Sequence, residues 1–143
     1  MKVSGQEKRR GRGQALVEFA LIVPVFALIL FALLDFGRVI YTQNTVEQAA
    51  REASRAGTLE AVDAAWKYSQ IRSAAINSAA GIGLVNANIS GQGCADCFYP
   101  GGAISGEIVV VTVSTRVDLV TPILSQVVGG TFNVTSTSRS FIP

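Results

Sequence analysis

Residues 15–34 read ALVEFALIVPVFALILFALL, opening at Ala15 and closing at Leu34, with one ionisable side chain, Glu18, and one helix breaker, Pro24. A hydrocarbon core about 30 Å thick needs about 20 apolar residues at 1.5 Å each, which is the length of this run. The run has too few polar positions for an amphipathic surface helix, and no turn residues cut it into strands. It is read as one membrane-spanning helix. With 143 residues in all, one small domain can stand beside it.

Charge is placed unevenly. Lys2, Lys8, Arg9, Arg10 and Arg12 face a single acid, Glu7, ahead of the span, so a total of +2 hides a basic lead and a slightly acidic remainder. Basic residues beside a span stay cytoplasmic, so residues 1–13 are expected inside and the C-terminal part outside. The lead has no aromatic stacking residues and abuts the span, which argues against nucleic-acid binding. A cleaved secretory signal needs a shorter apolar region and a small-x-small site, whereas here Asp35-Phe36-Gly37-Arg38 follows.

Glu18 is the residue that needs explaining. An ionised acid deep in hydrocarbon costs about 2.5–3.5 kcal/mol on insertion scales, and less near an interface. It can snorkel to the headgroups, mark an ion path, or await a cation supplied by another chain; a lone acid on one span makes a poor ion path.

The basic lead, Gly13, then Gln14-Ala15-Leu16-Val17-Glu18-Phe19 and an apolar helix together look like the processing site of the type IV pilin superfamily. More closely, residues 12–57, RGQALVEFALIVPVFALILFALLDFGRVIYTQNTVEQAAREASRAG, resemble the TadE-like minor pseudopilins of the tight-adherence (Flp-type) pilus system. The resemblance implies that a prepilin peptidase cuts between Gly13 and Gln14 on the cytoplasmic face. Glu18 then becomes the fifth residue and pairs with the terminal ammonium of a neighbouring subunit. It also implies a non-enzymatic role in assembling the pilus or a related secretion apparatus. The implied partners are the major pilin, other minor pseudopilins, the prepilin peptidase, the inner-membrane assembly platform and membrane lipid, with no nucleic acid. The bacterial inner membrane is the expected location. Flp-type sites often carry tyrosine after the glutamate, and this chain departs from that with Phe19.

Pro24 removes one backbone donor, which in a membrane helix predicts a kink rather than a stop. The kink is either without a role or a bend that loosens the helix during extraction. Beyond the span, Phe36, Val39, Ile40, Gln43, Val46, Ala50 and Ala53 recur at helical spacing, opposite Arg38, Glu47, Arg51, Glu52 and Arg55. The membrane helix is therefore expected to run on as an amphipathic stalk to about Gly57, its alanine stripe packing either against partner subunits or, the reading preferred, on the chain's own domain. A second helix is expected over residues 60–80, with Ala64, Tyr68, Ile71, Ala75 and Ala79 on one side, Trp66 in the core in preference to an interface, and Gly81 as a left-handed stop.

Strand patterns follow. Residues 107–119 alternate most clearly, with Val109, Val111, Val113, Val117 and Leu119 on one face. Residues 84–90 and 131–142 are weaker candidates, and residues 121–128 suggest a short helical turn. The expected fold is α+β: a long N-terminal transmembrane and stalk helix over residues 14–57, then a domain over residues 58–143. That domain would hold a second helix and an antiparallel sheet of about three strands.

Both cysteines, Cys94 and Cys97, fall in a glycine-rich loop. With no histidine and no second cysteine pair, a zinc site is not supported, and no metal or cofactor is expected. A local disulfide suits an oxidising compartment, though free thiols stay open. The absence of histidine also removes Ser-His-Asp and Cys-His arrangements. Two rivals to the pilus reading stand beside it: an uncleaved, membrane-anchored extracytoplasmic binding module, and a membrane-tethered thiol oxidoreductase using Cys94 and Cys97.

Overall fold

The computed structural model describes residues 7–59, 64–102, 105–121, 126 and 129–143, without the side chains of residues 7–12 and 64–65. The element order is α1 (Glu7–Gly57), α2 (Ala64–Ser78), β1 (Ile89–Ser90), β2 (Ile108–Asp118) and β3 (Thr131–Phe141). The three strands form one antiparallel sheet in the order β1-β2-β3. The architecture is α+β, as expected.

Helix α1 is one uninterrupted element that passes through Pro24 without ending. Its two halves have different surroundings. The mean hydropathy of its most apolar 18-residue stretch is 2.7, and none of that stretch is buried, although the helix is long and apolar enough to cross a membrane. From Asp35 onward the helix buries Thr42, Val46, Ala49, Ala50, Ala53 and Ser54. These positions repeat every three or four residues, the spacing of a seam that stays on one side of a helix. Small side chains on that seam let α2 and the sheet approach closely, and the core cluster joins Val46, Ala50 and Ala53 to Ile71, Val109, Val111 and Val134.

The buried face is offset from the expected one by part of a turn. Phe36, at 63% exposure, and Ile40 lie outside the seam, whereas Asp35 and Thr42 lie in it. Hydrophobicity alone does not separate a face that meets the chain's own core from one left open. The alanine stripe does pack on the chain's own domain, as expected.

Strand and helix are matched in length. Nine residue steps from Val109 to Asp118 cover about 30 Å, and nineteen from Arg38 to Gly57 cover about 29 Å. The ends meet accordingly: a Cβ on Gly57 would touch Val109, and Arg38 Nη1 donates to the carbonyl of Asp118 at 3.5 Å.

Helix α2 is described over Ala64–Ser78 and ends two residues before the expected Ala80; the expected start over residues 60–63 lies outside the described residues. Ile71, Ala75 and Ala79 are buried on its inner side. Trp66 is 47% exposed and is not a core residue. The left-handed stop is Gly83 (φ 64°), after a 3-10 turn at Ala80–Ile82, rather than Gly81. The expected strand over residues 84–90 shrinks to Ile89–Ser90. A 3-10 turn at Asn86–Asn88 precedes it, because Asn88 turns its side chain back to accept the Val85 amide at 2.9 Å. Residues 121–128 lie mostly outside the described residues, so the expected turn there has no described counterpart.

Strands β2 and β3 pair without interruption from Ile108↔Phe141 to Asp118↔Thr131. Val109, Val111, Val113 and Val117 face the helices, as the alternation predicts. Val110 is buried too, and its amide donates to the carbonyl of Phe98 at 2.8 Å.

Candidate functional site

The N-terminal half of α1 carries the residues that the sequence singles out. Gln14 and Glu18 are four apart on a continuous helix and therefore share a face. Gly13, Gln14, Val17, Glu18 and Leu21 line one shallow open surface, and all are exposed. A Cβ placed on Gly13 would meet nothing within 4 Å. Glycine at position 13 thus answers no packing need of this fold. Ala15, Pro24 and Leu34 belong to the same uncovered stretch.

Cys94 and Cys97 form a disulfide, with their Cα atoms 5.3 Å apart. They sit in an exposed turn, not at the start of a helix, and so do not form a thioredoxin-like arrangement. The turn is bound on both sides. Gly91 N–H donates to the Cys94 carbonyl and Gln92 N–H to that of Cys97, each at 2.9 Å. Arg72 of α2 bridges to Asp96 at 2.6 Å. The next residue, Phe98, is fully buried, and its ring lies 5.5 Å from that of Tyr68. The Tyr99 hydroxyl donates to the Gly57 carbonyl at 2.9 Å, so this loop packs where α1 ends. Burial, then the neighbouring Tyr68, pushes the Tyr99 phenol up to about 12.

The feature that sequence reasoning missed is at the other end of the domain. Asp35, the first residue beyond the apolar run, is 2% exposed. Its carboxylate accepts the Val120 amide at 3.0 Å and the Thr121 amide at 2.8 Å. The Thr121 hydroxyl, then these two amides, hold the carboxyl below its usual value; desolvation works against them and Arg38 adds a smaller pull. Among the described residues the Thr121 Oγ1 atom has no well-formed hydrogen bond. An acid that takes two backbone donors behaves as a cap for a loop. The sequence signal was available: Asp35 stands seven before Thr42 and eleven before Val46, in phase with the buried seam.

A second polar contact fastens the upper helix to the sheet. The Ser54 hydroxyl lies 2.9 Å from those of Ser138 and Ser140 and donates to the Arg51 carbonyl. Among the described residues there is no group of three or more His, Cys, Asp or Glu placed to hold a metal ion.

The architecture is therefore a single helix, bare and apolar at one end and clasped by a small α+β domain at the other. A family model described as TadE-like protein matches residues 13–55. No curated protein and no solved structure matches the chain significantly. The matched segment starts at the glycine before Gln14 and ends within the last turns of α1. Over residues 13–55, most of the helix that organises the described structure, the chain is similar to the TadE-like family.

Proposed function

We propose that the chain is a minor pseudopilin that takes part in assembling a tight-adherence pilus or a related secretion apparatus, and that it acts without catalysing a reaction. One observation carries this reading. A single helix leaves its apolar half wholly uncovered, with Glu18 on it, while its other half is locked into the domain. In this reading the uncovered half first spans the inner membrane, with the basic lead cytoplasmic and the domain outside. A prepilin peptidase then cuts between Gly13 and Gln14. The new ammonium at Gln14 gives a neighbouring subunit's Glu18 its partner. A buried charge without a partner is costly, whereas a pair is tolerated and can fix register between helices. The other partners are the major pilin, further minor pseudopilins and the assembly platform in the membrane.

Intact mass of the membrane-extracted chain tests the reading. Its start is expected at Gln14 in cells with the peptidase and at Met1 in cells without it. Because a Cβ on Gly13 meets nothing, Gly13→Ala should fold normally and stay uncut. A chain that begins at Met1 or Lys2 in peptidase-positive cells sinks the proposal. Glu18→Leu is the companion variant: it should be cut normally, yet leave cells as poor in pili as a full deletion.

A further inference from the structure

We infer that the membrane-proximal rim of the domain, Val120 with Phe36 and Arg38, sits in the lipid headgroup layer rather than standing clear of it on a stalk. The inference rests on the reading of residues 15–34 as a span, and deepens it by naming a second lipid contact. Twenty residues at 1.5 Å each bring the chain across a hydrocarbon core of about 30 Å, so Asp35 lies at its outer boundary. Asp35 is not free there. Its carboxylate holds the Val120 and Thr121 amides at 3.0 and 2.8 Å, which pins that loop to the same level as the end of the span. No length of bare helix separates the bilayer from the domain.

What is pinned there suits a lipid surface. Val120 is 62% exposed although it is apolar, and Phe36 is equally uncovered one residue past Asp35. Phe36 rises about 1.5 Å above Asp35 along the helix and Arg38 about 4.5 Å. The headgroup layer is about 5–8 Å deep on each side. An exposed arginine at that depth meets lipid phosphates, and exposed aromatic rings are at home in the same layer. The Asp35 charge is answered by the two amides, so that acid does not pull the rim back into water; Asp118, the other described acid near the rim, stands at the level of Arg38, whose guanidinium donates to its carbonyl. The apolar surface of the rim is continuous with that of the span, because Leu33, Leu34 and Phe36 are all exposed. The occupant is therefore lipid, and the domain is seated on the membrane from which the helix must later be drawn.

The test is depth measurement by nitroxide labels on the full chain in vesicles of phosphatidylcholine and phosphatidylglycerol. Cys94 and Cys97 are tied to each other, so an introduced cysteine takes the label alone. Labels go on Val120→Cys, on Thr137→Cys on the exposed side of β3, and on Phe26→Cys within the span. Collisions with a water-soluble nickel chelate should be several-fold rarer at position 120 than at 137, and rarest at 26. Adding Asp35→Ala should raise them at 120 while leaving 26 unchanged. If 120 is as accessible as 137 while 26 is protected, the rim does not touch lipid and the inference falls with the span intact. If 26 is itself accessible, the span fails and the inference with it. If Asp35→Ala leaves 120 protected, Asp35 does not hold the rim at the boundary and the inference is overturned in its cause.

Discussion

Gly57 and Val109 meet so closely that a Cβ built on the glycine would lie 2.7 Å from Val109 Cγ1, with Ile71 Cδ1 at 3.1 Å. The last turn of α1 thus lies against β2 and α2 with no room for a methyl group. Gly57→Ala forces the core apart at its upper end. Overpacking of this kind costs about 1–3 kcal/mol. Thermal unfolding of the domain in detergent should shift down accordingly, while Gly37→Ala, which meets nothing within 4 Å, should not lower it.

Ser54 offers a second measure of how the helix holds the sheet. It is 1% exposed and its hydroxyl touches two serines of β3 and the Arg51 carbonyl. Ser54→Ala leaves the Ser138 and Ser140 hydroxyls facing a methyl group. Leaving buried polar groups unpaired costs about 1–3 kcal/mol. Chemical denaturation should show that loss, and Ser138→Ala alone should cost less, since Ser140 remains.

Acid should loosen the lower latch. Asp35 titrates below its ordinary 3.8 when folded, chiefly through the Thr121 hydroxyl and the Val120 and Thr121 amides. A carboxyl with a depressed folded value favours the folded state above its unfolded value, and that contribution disappears as pH falls through the folded one. The amide resonances of Val120 and Thr121, recorded on the full chain in micelles, should therefore stay put above pH 3.8 and move together below it. Asp35→Asn should abolish that step, and its amide nitrogen should turn a donor toward one of the two N–H groups, speeding exchange at that site.

Breaking the disulfide should lower stability without undoing the fold. A bridge three residues apart closes so short a loop that the chain-entropy stabilisation is about 2 kcal/mol, against about 3 for a fifteen-residue loop. The Arg72–Asp96 bridge and the Val110–Phe98 backbone bond remain to hold the turn. The double variant Cys94→Ser, Cys97→Ser should keep the Phe98–Tyr68 contact, read as unchanged tyrosine bands in the near-ultraviolet dichroism, with melting temperature lowered by about 8–16 °C. Loss of the fold would show that the bridge holds more of the core than its loop length indicates.

The sequence by itself determined the elements whose cause is local. A twenty-residue apolar run declares a helix long and apolar enough to cross a membrane, and the alternation from Val109 to Val117 declares a half-covered strand. The glycine, the glutamate five places after it and the helix tail were legible as a resemblance to the TadE-like family, whose model matches residues 13–55, because such spacing is written along one element. What only the tertiary structure decided depends on partners remote in the chain. Asp35 finds its two donors 85 and 86 residues away, and Ser54 finds its serines 84 and 86 away. Neither pair leaves a periodic trace. The same distance effect moved the buried seam of α1 away from Phe36 and Ile40, left Trp66 exposed and shifted the left-handed turn to Gly83. Periodicity shows that a helix has an apolar side; which side is covered depends on where the sheet comes to lie.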